Sequence, residues 1–353
     1  MSADAPHPEI RIDQLTGLRT ILAAARADRP IEFAPATRDT LDHDSCPFCE
    51  GNEERTPPEL WADRPGGGEP DSAGWRVRAV PNLYPALGGG DPPEGGPDAY
   101  SGARPPADPL RASARAGEPD LFSSLPAEGS HEVLIHSPRH RVALSELDDS
   151  ELEAAVAGWR TRIAAHEAAS YVQLIVNEGG AAGASLEHSH SQLYALSFVP
   201  VLVARERERF TAYNQRTMGG DLLGDIVSEE VRRRERLVAI DDDAVVFCPW
   251  ASGSAYQLRI VPREVSGRFE ADEGVGVGAL RTALRALGMR FGDGLELNLW
   301  VRTAPRDADV FHWHIDIAPR LGMKAGFEFA TGVDINTFPP ERGAAELREA
   351  LGG

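Results

Sequence analysis

A single lysine, Lys324, stands among 36 basic residues, so arginine supplies nearly all the positive charge. Asp and Glu number 55, which leaves a formal net charge of -19. This acidity argues against a nucleic-acid backbone as partner, and any anionic substrate must be met by local cations rather than a broad basic field. Cysteine is scarce as well. Three in 353 residues are too few for a disulfide scaffold and suit a reducing compartment. Long apolar runs are missing: no stretch approaches the roughly 20 residues of a membrane span. The opening MSADAPHPEIRIDQL lacks the basic start and apolar run of an export signal. The expectation is a cytoplasmic chain with no membrane partner, long enough for two ordinary domains or one large one.

Apolar periodicity is also absent from Leu87 to Ser130, where Gly, Pro and Asp crowd together, and this segment reads as a long mobile loop. On either side the patterns are stronger. WRVRAVPNLYP, HEVLIHSPRH and YVQLIVNEG read as strands, and LDDSELEAAVAGWRTRIAAHEA as an amphipathic helix. A helical region from VARERERFTAYNQ through DIVSEEVRRRERLVA then leads to a second set of strands, AVVFCPWA, AYQLRIVPREV and LELNLWVRT, ending in FHWHIDIAPR.

The second set repeats the first. Pro138-Arg139 and Pro262-Arg263 are 124 residues apart, as are His188 and His312, and His190 and His314. The expected fold is therefore α+β: two tandem units of antiparallel strands with packed helices, one ending near Phe198 and the other spanning about 244–336. The expected domains are residues 1–205 and 206–353.

In an extended strand residues i and i+2 share a face, so His188 and His190 of EHSHSQ project together toward one site. Two solvated histidines in a turn would be the plain alternative, but four of the ten histidines fall in His-x-His pairs at matching points of a repeat. The preceding NEGGAAGAS supplies small residues over which a phosphate could approach backbone N–H groups. Cys46 and Cys49 form a C-x-x-C, half of a tetrahedral zinc site. A redox role is disfavoured because no strand precedes the motif and no helix clearly begins at Cys46. Cys248 reads as core.

These motifs together resemble the transferase branch of the histidine-triad superfamily, typified by galactose-1-phosphate uridylyltransferase. RIDQLTGLRTILAAARADRP, CPFCEGNEERTPPE, VRAVPNLYPAL, SHEVLIHSPRH, VNEGGAAGASLEHSHSQ, HWHIDIAPR and GFEFATGVDINTFPPE follow the family's order. The resemblance implies that His190 is a nucleophile forming a nucleotidyl-histidine, that Gln192 bonds a nonbridging phosphate oxygen, and that Asn82, Asn177 and Ser185 contact the nucleotide or its phosphates. It implies a structural zinc held by Cys46, Cys49, His131 and His188. Lys324, Phe327 and Glu328 correspond to a hexose-contacting segment, and Arg26 and Arg29 to arginines that reach a neighbouring subunit in a homodimer. Glu206, His312 and His314 match a possible second divalent metal site, although the upstream histidine of that site is missing. HWHIDI has no glutamine at the Gln192 position, so the second copy is not itself expected to be nucleophilic.

The implied substrates are a nucleotide sugar and a hexose 1-phosphate, with UDP-glucose:galactose-1-phosphate uridylyl transfer as the first expectation. Ser189 departs from the proline usual between the histidines of the uridylyl branch. It is similar to the ADP-glucose phosphorylase type, an adenylyl-transferring alternative. Hydrolysis of nucleotides is a third reading, disfavoured by the two-copy architecture, and a non-catalytic metal scaffold a fourth.

Overall fold

The computed structural model describes residues 7–24, 44–88, 126–292 and 294–352. The strands and helices run β1 (Glu9–Ile12), β2 (Arg19–Leu22), β3 (Trp61–Asp63), β4 (Val77–Pro81), β5 (Gly129–Ile135), α1 (Asp149–Ala164), β6 (Tyr171–Glu178), β7 (His190–Leu196), α2 (Val201–Thr217) and α3 (Leu222–Arg233). They continue with β8 (Leu237–Ile240), β9 (Ala244–Phe247), β10 (Leu258–Pro262), α4 (Val277–Phe291), β11 (Leu297–Arg302), β12 (His314–Pro319), α5 (Gly326–Thr331), β13 (Asp334–Asn336) and α6 (Pro340–Ala350). Most of the segment read as a mobile loop, residues 89–125, lies outside the described residues, as do Arg26 and Arg29.

Ten strands form one antiparallel sheet in the order β3-β4-β5-β7-β6-β11-β12-β10-β9-β8. Read from its middle, the order is a palindrome: β6, β7, β5, β4, β3 one way and β11, β12, β10, β9, β8 the other. Two five-stranded units of the same topology meet edge to edge, which is the α+β doubling the repeat implies. The seam is the β6–β11 ladder, in which Ile175 faces Trp300 and Asn177 faces Asn298. The 124-residue offset does not hold at every strand, however. Ile135 faces His190, yet Arg259, 124 residues after Ile135, faces Asp316 rather than His314. A slip of two preserves which side chains face which way, because strand periodicity is two.

That alternation divides the sheet. Leu134, Leu174, Val176, Leu193, Leu258, Ile260, Leu299, Val301, Ile315 and Ile317 point to one face and bury against Leu152, Val156 and Trp159 of α1 and Leu280, Ala283 and Leu287 of α4. Helix α1 starts cleanly because Asp148 and Glu151 form a capping box. The opposite face carries the polar row His190, Gln192, Gln173, Asn177, Asn298, Arg302, His314 and Asp316. Over the second unit, α2 and α3 cover this face with a separate core of Phe210, Leu223, Val245, Phe247 and Val261. Over the first unit it meets the cysteine loop, where Cys46, Phe48 and Cys49 pack on Trp75, Val133 and Ile135.

The helical region read as running through Ala239 stops earlier. Arg234 takes a left-handed conformation (φ 59°) that ends α3, and Leu237 opens β8. The β-branched and apolar LVAI finds a strand partner in β9, and this pairing overrides helical propensity. Strands β1 and β2 join β13 in a three-stranded sheet, tying the start of the chain to its last hundred residues.

Candidate active site

His190 opens β7 and is buried, its ring edge-on to Phe48 at 5.4 Å. Its Nδ1 lies 2.7 Å from the His188 carbonyl. A carbonyl only accepts, so Nδ1 carries the proton and Nε2 keeps a lone pair. Burial holds the His190 imidazole below its ordinary value, against the pull of that carbonyl, which favours the neutral nucleophilic ring.

His188 points the other way. Its Nε2 donates to the Ser137 carbonyl at 2.8 Å, which turns Nδ1 toward the cysteines, 3.5 Å from Cys46 Sγ and 3.7 Å from Cys49 Sγ. Cys49 Sγ lies 3.4 Å from His140 Nδ1. The four ligand atoms of Cys46, Cys49, His140 and His188 all fall within 4.8 Å of one another. Tetrahedral zinc with ordinary Zn–S and Zn–N bonds places sulfur and nitrogen ligands roughly 3.5 Å apart, and the observed separations match. Donation from His188 Nε2 to a carbonyl is also the arrangement that sets a metal-binding tautomer. Burial and the neighbouring Cys46 push the Cys49 thiol up to about 12, so the Cys49 sulfur ionises only with a cation beside it. The residues present can bind a metal.

His140, not His131, completes this group, which corrects the ligand set expected from sequence. His131 stands inside β5 opposite Tyr194, stacked on its ring at 4.1 Å, with Nε2 3.0 Å from Gln192 Oε1. His188 is met at Ser137, beyond the end of β5. Four residues of strand, about 13 Å, separate His131 from Ile135 alone.

The second His-x-His does not gather a metal site. His312 repeats the backbone half of the pattern, with Nε2 3.1 Å from the Pro262 carbonyl, but its Nδ1 meets the Asp221 carboxylate at 2.8 Å. Glu206 is engaged by Arg302 at 3.3 Å, and His314 Nε2 lies 3.3 Å from Asp316. Glu206 is thus already paired with a cation, the Arg302 guanidinium. Among the described residues, the cysteine–histidine group alone brings three or more such ligands together.

Asn177 and the Gly-Ala loop are held by the second unit. Asn298 Nδ2 donates to Asn177 Oδ1 and to the Ala182 carbonyl, both at 2.8 Å, and the Ala181 N–H donates to Glu296 at 3.0 Å. Gly179 and Gly183 bracket this loop at φ 88°, a conformation that favours glycine. Ser185 follows the loop. Asn82 ends the β4 hairpin beside His131. Lys324 pairs with Asp334 at 2.7 Å, and Glu328 accepts from the Ala325 N–H at the start of α5, which also carries the half-exposed Phe327.

Sequence reasoning missed four side chains. His140 lay in view in HSPRH. Tyr194 sits at the i+2 spacing from Gln192. Asn298 belongs to the other unit. His136 is fully buried: Trp159 Nε1 donates to its Nε2 at 3.0 Å, so Nδ1–H donates to Ser189 Oγ at 3.0 Å. Ser189 also gives its N–H to the Arg141 carbonyl, a bond that proline could not make.

The family model for the galactose-1-phosphate uridyl transferase N-terminal domain matches residues 98–200. An ADP-glucose phosphorylase from Arabidopsis thaliana is 28% identical over 99% of this chain and 94% of its own. The chain is similar to this transferase family from end to end. A galactose-1-phosphate uridylyltransferase from Thermotoga maritima is 25% identical over 97% of this chain and 98% of its own. The crystal structure of an ADP-glucose phosphorylase from Arabidopsis thaliana with bound ADP-glucose superposes with a TM-score of 0.76, at 27% identity over 97% of this chain and 99% of that one. No helix among the described residues is long and apolar enough to cross a membrane.

Proposed function

We propose that this protein is a nucleotidyltransferase acting by double displacement through His190. The observation that carries the reading is the buried imidazole whose Nδ1–H is fixed on the His188 carbonyl, leaving Nε2 as nucleophile. In the first half-reaction Nε2 attacks the α-phosphorus of a nucleotide sugar. The N–P bond forms, the bond from phosphorus to the bridging oxygen breaks, and the sugar 1-phosphate leaves with the electron pair. Nδ1 keeps its proton, and the positive charge on the ring is met by the His188 carbonyl dipole. In the second half-reaction an acceptor phosphate oxygen attacks the same phosphorus and the electron pair returns to Nε2. Gln192, on the same strand face, donates to a nonbridging oxygen, and Asn82, Asn177 and Ser185 contact the nucleotide and its phosphates. Lys324, Phe327 and Glu328 serve the sugar phosphate.

Of the two donor classes we favour adenylyl. Ser189 with its His136 partner, and similarity over 99% of the chain to an ADP-glucose phosphorylase, support it. The acceptor is then inorganic phosphate. The uridylyl reading, with galactose 1-phosphate as acceptor, is supported by the family model over residues 98–200 and by full-length uridylyltransferase relatives. Incubation with base-labelled ADP-glucose or UDP-glucose, followed by trapping of an acid-labile protein adduct, decides the base. Discharge by inorganic phosphate or by galactose 1-phosphate decides the acceptor. No adduct from either donor would overturn the transferase reading.

Cys46, Cys49, His140 and His188 would hold one structural zinc. When bound it supplies no chemistry of the transfer but fixes His188, whose carbonyl orients the nucleophile. Metal analysis of protein purified without added zinc is expected to give close to one equivalent. That content should be lost in Cys46→Ser and His140→Ala and retained in His131→Phe. Retention in His140→Ala with loss in His131→Phe would restore the ligand set expected from sequence.

A further inference from the structure

Gln192 is held from two sides by groups outside the reaction just described. The Ala86 backbone N–H donates to His131 Nδ1 at 3.1 Å, so that nitrogen has no proton and the neutral ring carries its hydrogen on Nε2. Nε2 lies 3.0 Å from the Gln192 side chain, and the atom facing it must therefore be an acceptor, the amide oxygen. Tyr194 donates its hydroxyl to the same oxygen at 2.8 Å. The Asn82 amide nitrogen, 3.1 Å from His131 Nε2, is a second donor and makes no bond to that nitrogen; its own oxygen accepts from the Tyr84 N–H. The two Gln192 contacts are built into the sheet. Gln192 and Tyr194 share a face of β7, and His131 lies opposite Tyr194 in the β5–β7 register with its ring stacked on the phenol.

A side-chain amide has one accepting end and one donating end. Two donors locked on the oxygen leave the NH₂ as the donating end; both donors lie on the Tyr194 side of Gln192 along β7, and His190 lies on the other side. We propose that His131 and Tyr194 are positioning residues that fix the Gln192 amide so that its N–H, rather than its oxygen, meets the transferred phosphoryl group. This rests on the His190 nucleotidyl reading. A glutamine free to flip would spend part of its time presenting a lone pair to an anion, which is repulsive where a donor is needed.

The test uses ADP-glucose carrying sulfur at one or the other nonbridging position of the adenylyl phosphorus, or the UDP-glucose analogues if UDP-glucose labels the protein. The readout is the rate of His190 labelling by each diastereomer. In the native protein one diastereomer should be slow, because sulfur accepts the Gln192 N–H poorly. Tyr194→Phe removes only a hydroxyl, and His131→Phe keeps an aromatic ring against Tyr194. Both are expected to lower labelling by the oxygen substrate about 10-fold or more and to pull the diastereomer ratio toward that of Gln192→Ala. A merely structural disturbance would slow both diastereomers alike and leave the ratio at its native value. An unchanged ratio in a folded Tyr194→Phe protein, alongside an altered ratio in Gln192→Ala, overturns the positioning role while leaving the nucleotidyl-histidine intact. Absence of labelling in the native protein overturns both.

Discussion

The two His-x-His strands begin alike and end in opposite chemistry. In each, the first histidine donates Nε2 to a carbonyl at the end of the neighbouring strand and the second turns Nδ1 toward the carbonyl two residues back, at 2.7 Å for His190 and 3.5 Å for His314. What differs is what faces the remaining nitrogens. His188 looks onto two thiols and His140, whereas His312 looks onto Asp221. At the seam, Asn298 meets Asn177 on the first side, while on the second Arg302 meets Gln173 at 2.9 Å and also reaches Glu206. Where the first unit has Gln192, the second has Asp316. Burial alone would raise that carboxyl, but Arg259 and His314 overcome it and hold it well below the usual range. One scaffold thus carries a neutral imidazole beside groups suited to a phosphate, and the same scaffold, sealed under α2 and α3, carries a lattice of paired charges. The lesson is that the backbone supplies the tautomers, and the side chains around them decide whether a nitrogen is used.

The sharpest way to break this comparison is to remove the second histidine of each pair. His190→Ala should lower nucleotidyl labelling by at least about 10⁴-fold, whereas folded His314→Gln should label like the native protein. Equal losses would mean that both units are catalytic.

The ion lattice gives the next largest effect. Burial pushes the Glu206 carboxyl up even with Arg302 beside it. Arg302→Met is expected to cost about 3 kcal/mol in denaturant unfolding, toward the low end for a broken buried pair because Glu206 can relieve itself by protonation. Adding Glu206→Gln should recover most of that loss. A metal requirement appearing in Arg302→Met would instead show that the guanidinium occupies a metal position.

The pH dependence sharpens the first unit. Burial lowers the imidazoles of His190, His131 and His136, the last well below its ordinary value with His190 and His188 adding to the shift. Their folded pKa values lie under the unfolded one, so as pH falls below about 6.5 the unfolded chain takes up protons that the folded chain refuses. Stability should therefore be full above that pH and fall on acidification by about 1.4 kcal/mol per pH unit for each such histidine until its folded pKa is reached. His136→Gln should flatten the slope seen in chemical denaturation at pH 5 to 7. The acid limb of His190 labelling should likewise fall below the ordinary imidazole value, and a limb above pH 7 would contradict a buried neutral nucleophile.

The smallest expected effect is at Asp221. Asp221→Asn keeps a capping group for α3 but weakens the bond to His312, and should cost about 1 kcal/mol with no change in metal content or labelling.

Much of this was legible in sequence because it depends on spacing. The C-x-x-C, the two His-x-His pairs and the i+2 glutamine are local patterns whose geometry follows from strand periodicity, and the offset between halves announced a doubled fold. What sequence could not supply was register. Choosing between His131 and His140 as partner of His188 requires knowing that Ile135 stands opposite His190, so that His188 lies beyond the end of β5. The same holds for Arg302, an ordinary strand arginine until α2 lays Glu206 against it, and for Arg234, where a strand partner for LVAI ended a helix that propensity would have continued.

The seam has a practical consequence for anyone dividing the gene. Expressed alone, residues 44–198 would present β6 as a bare edge and lack Asn298 and Glu296, the side chains that grip the Gly-Ala loop. An edge of this kind seeks a strand. The ladder is centred on the facing pair Val176 and Leu299, so a second copy of the fragment can lay its own Val176 where Leu299 stood. The excised half should come off a sizing column as a twofold pair, a ten-stranded sheet rebuilt from one sequence, with two nucleophiles and no Asn298 to brace either loop.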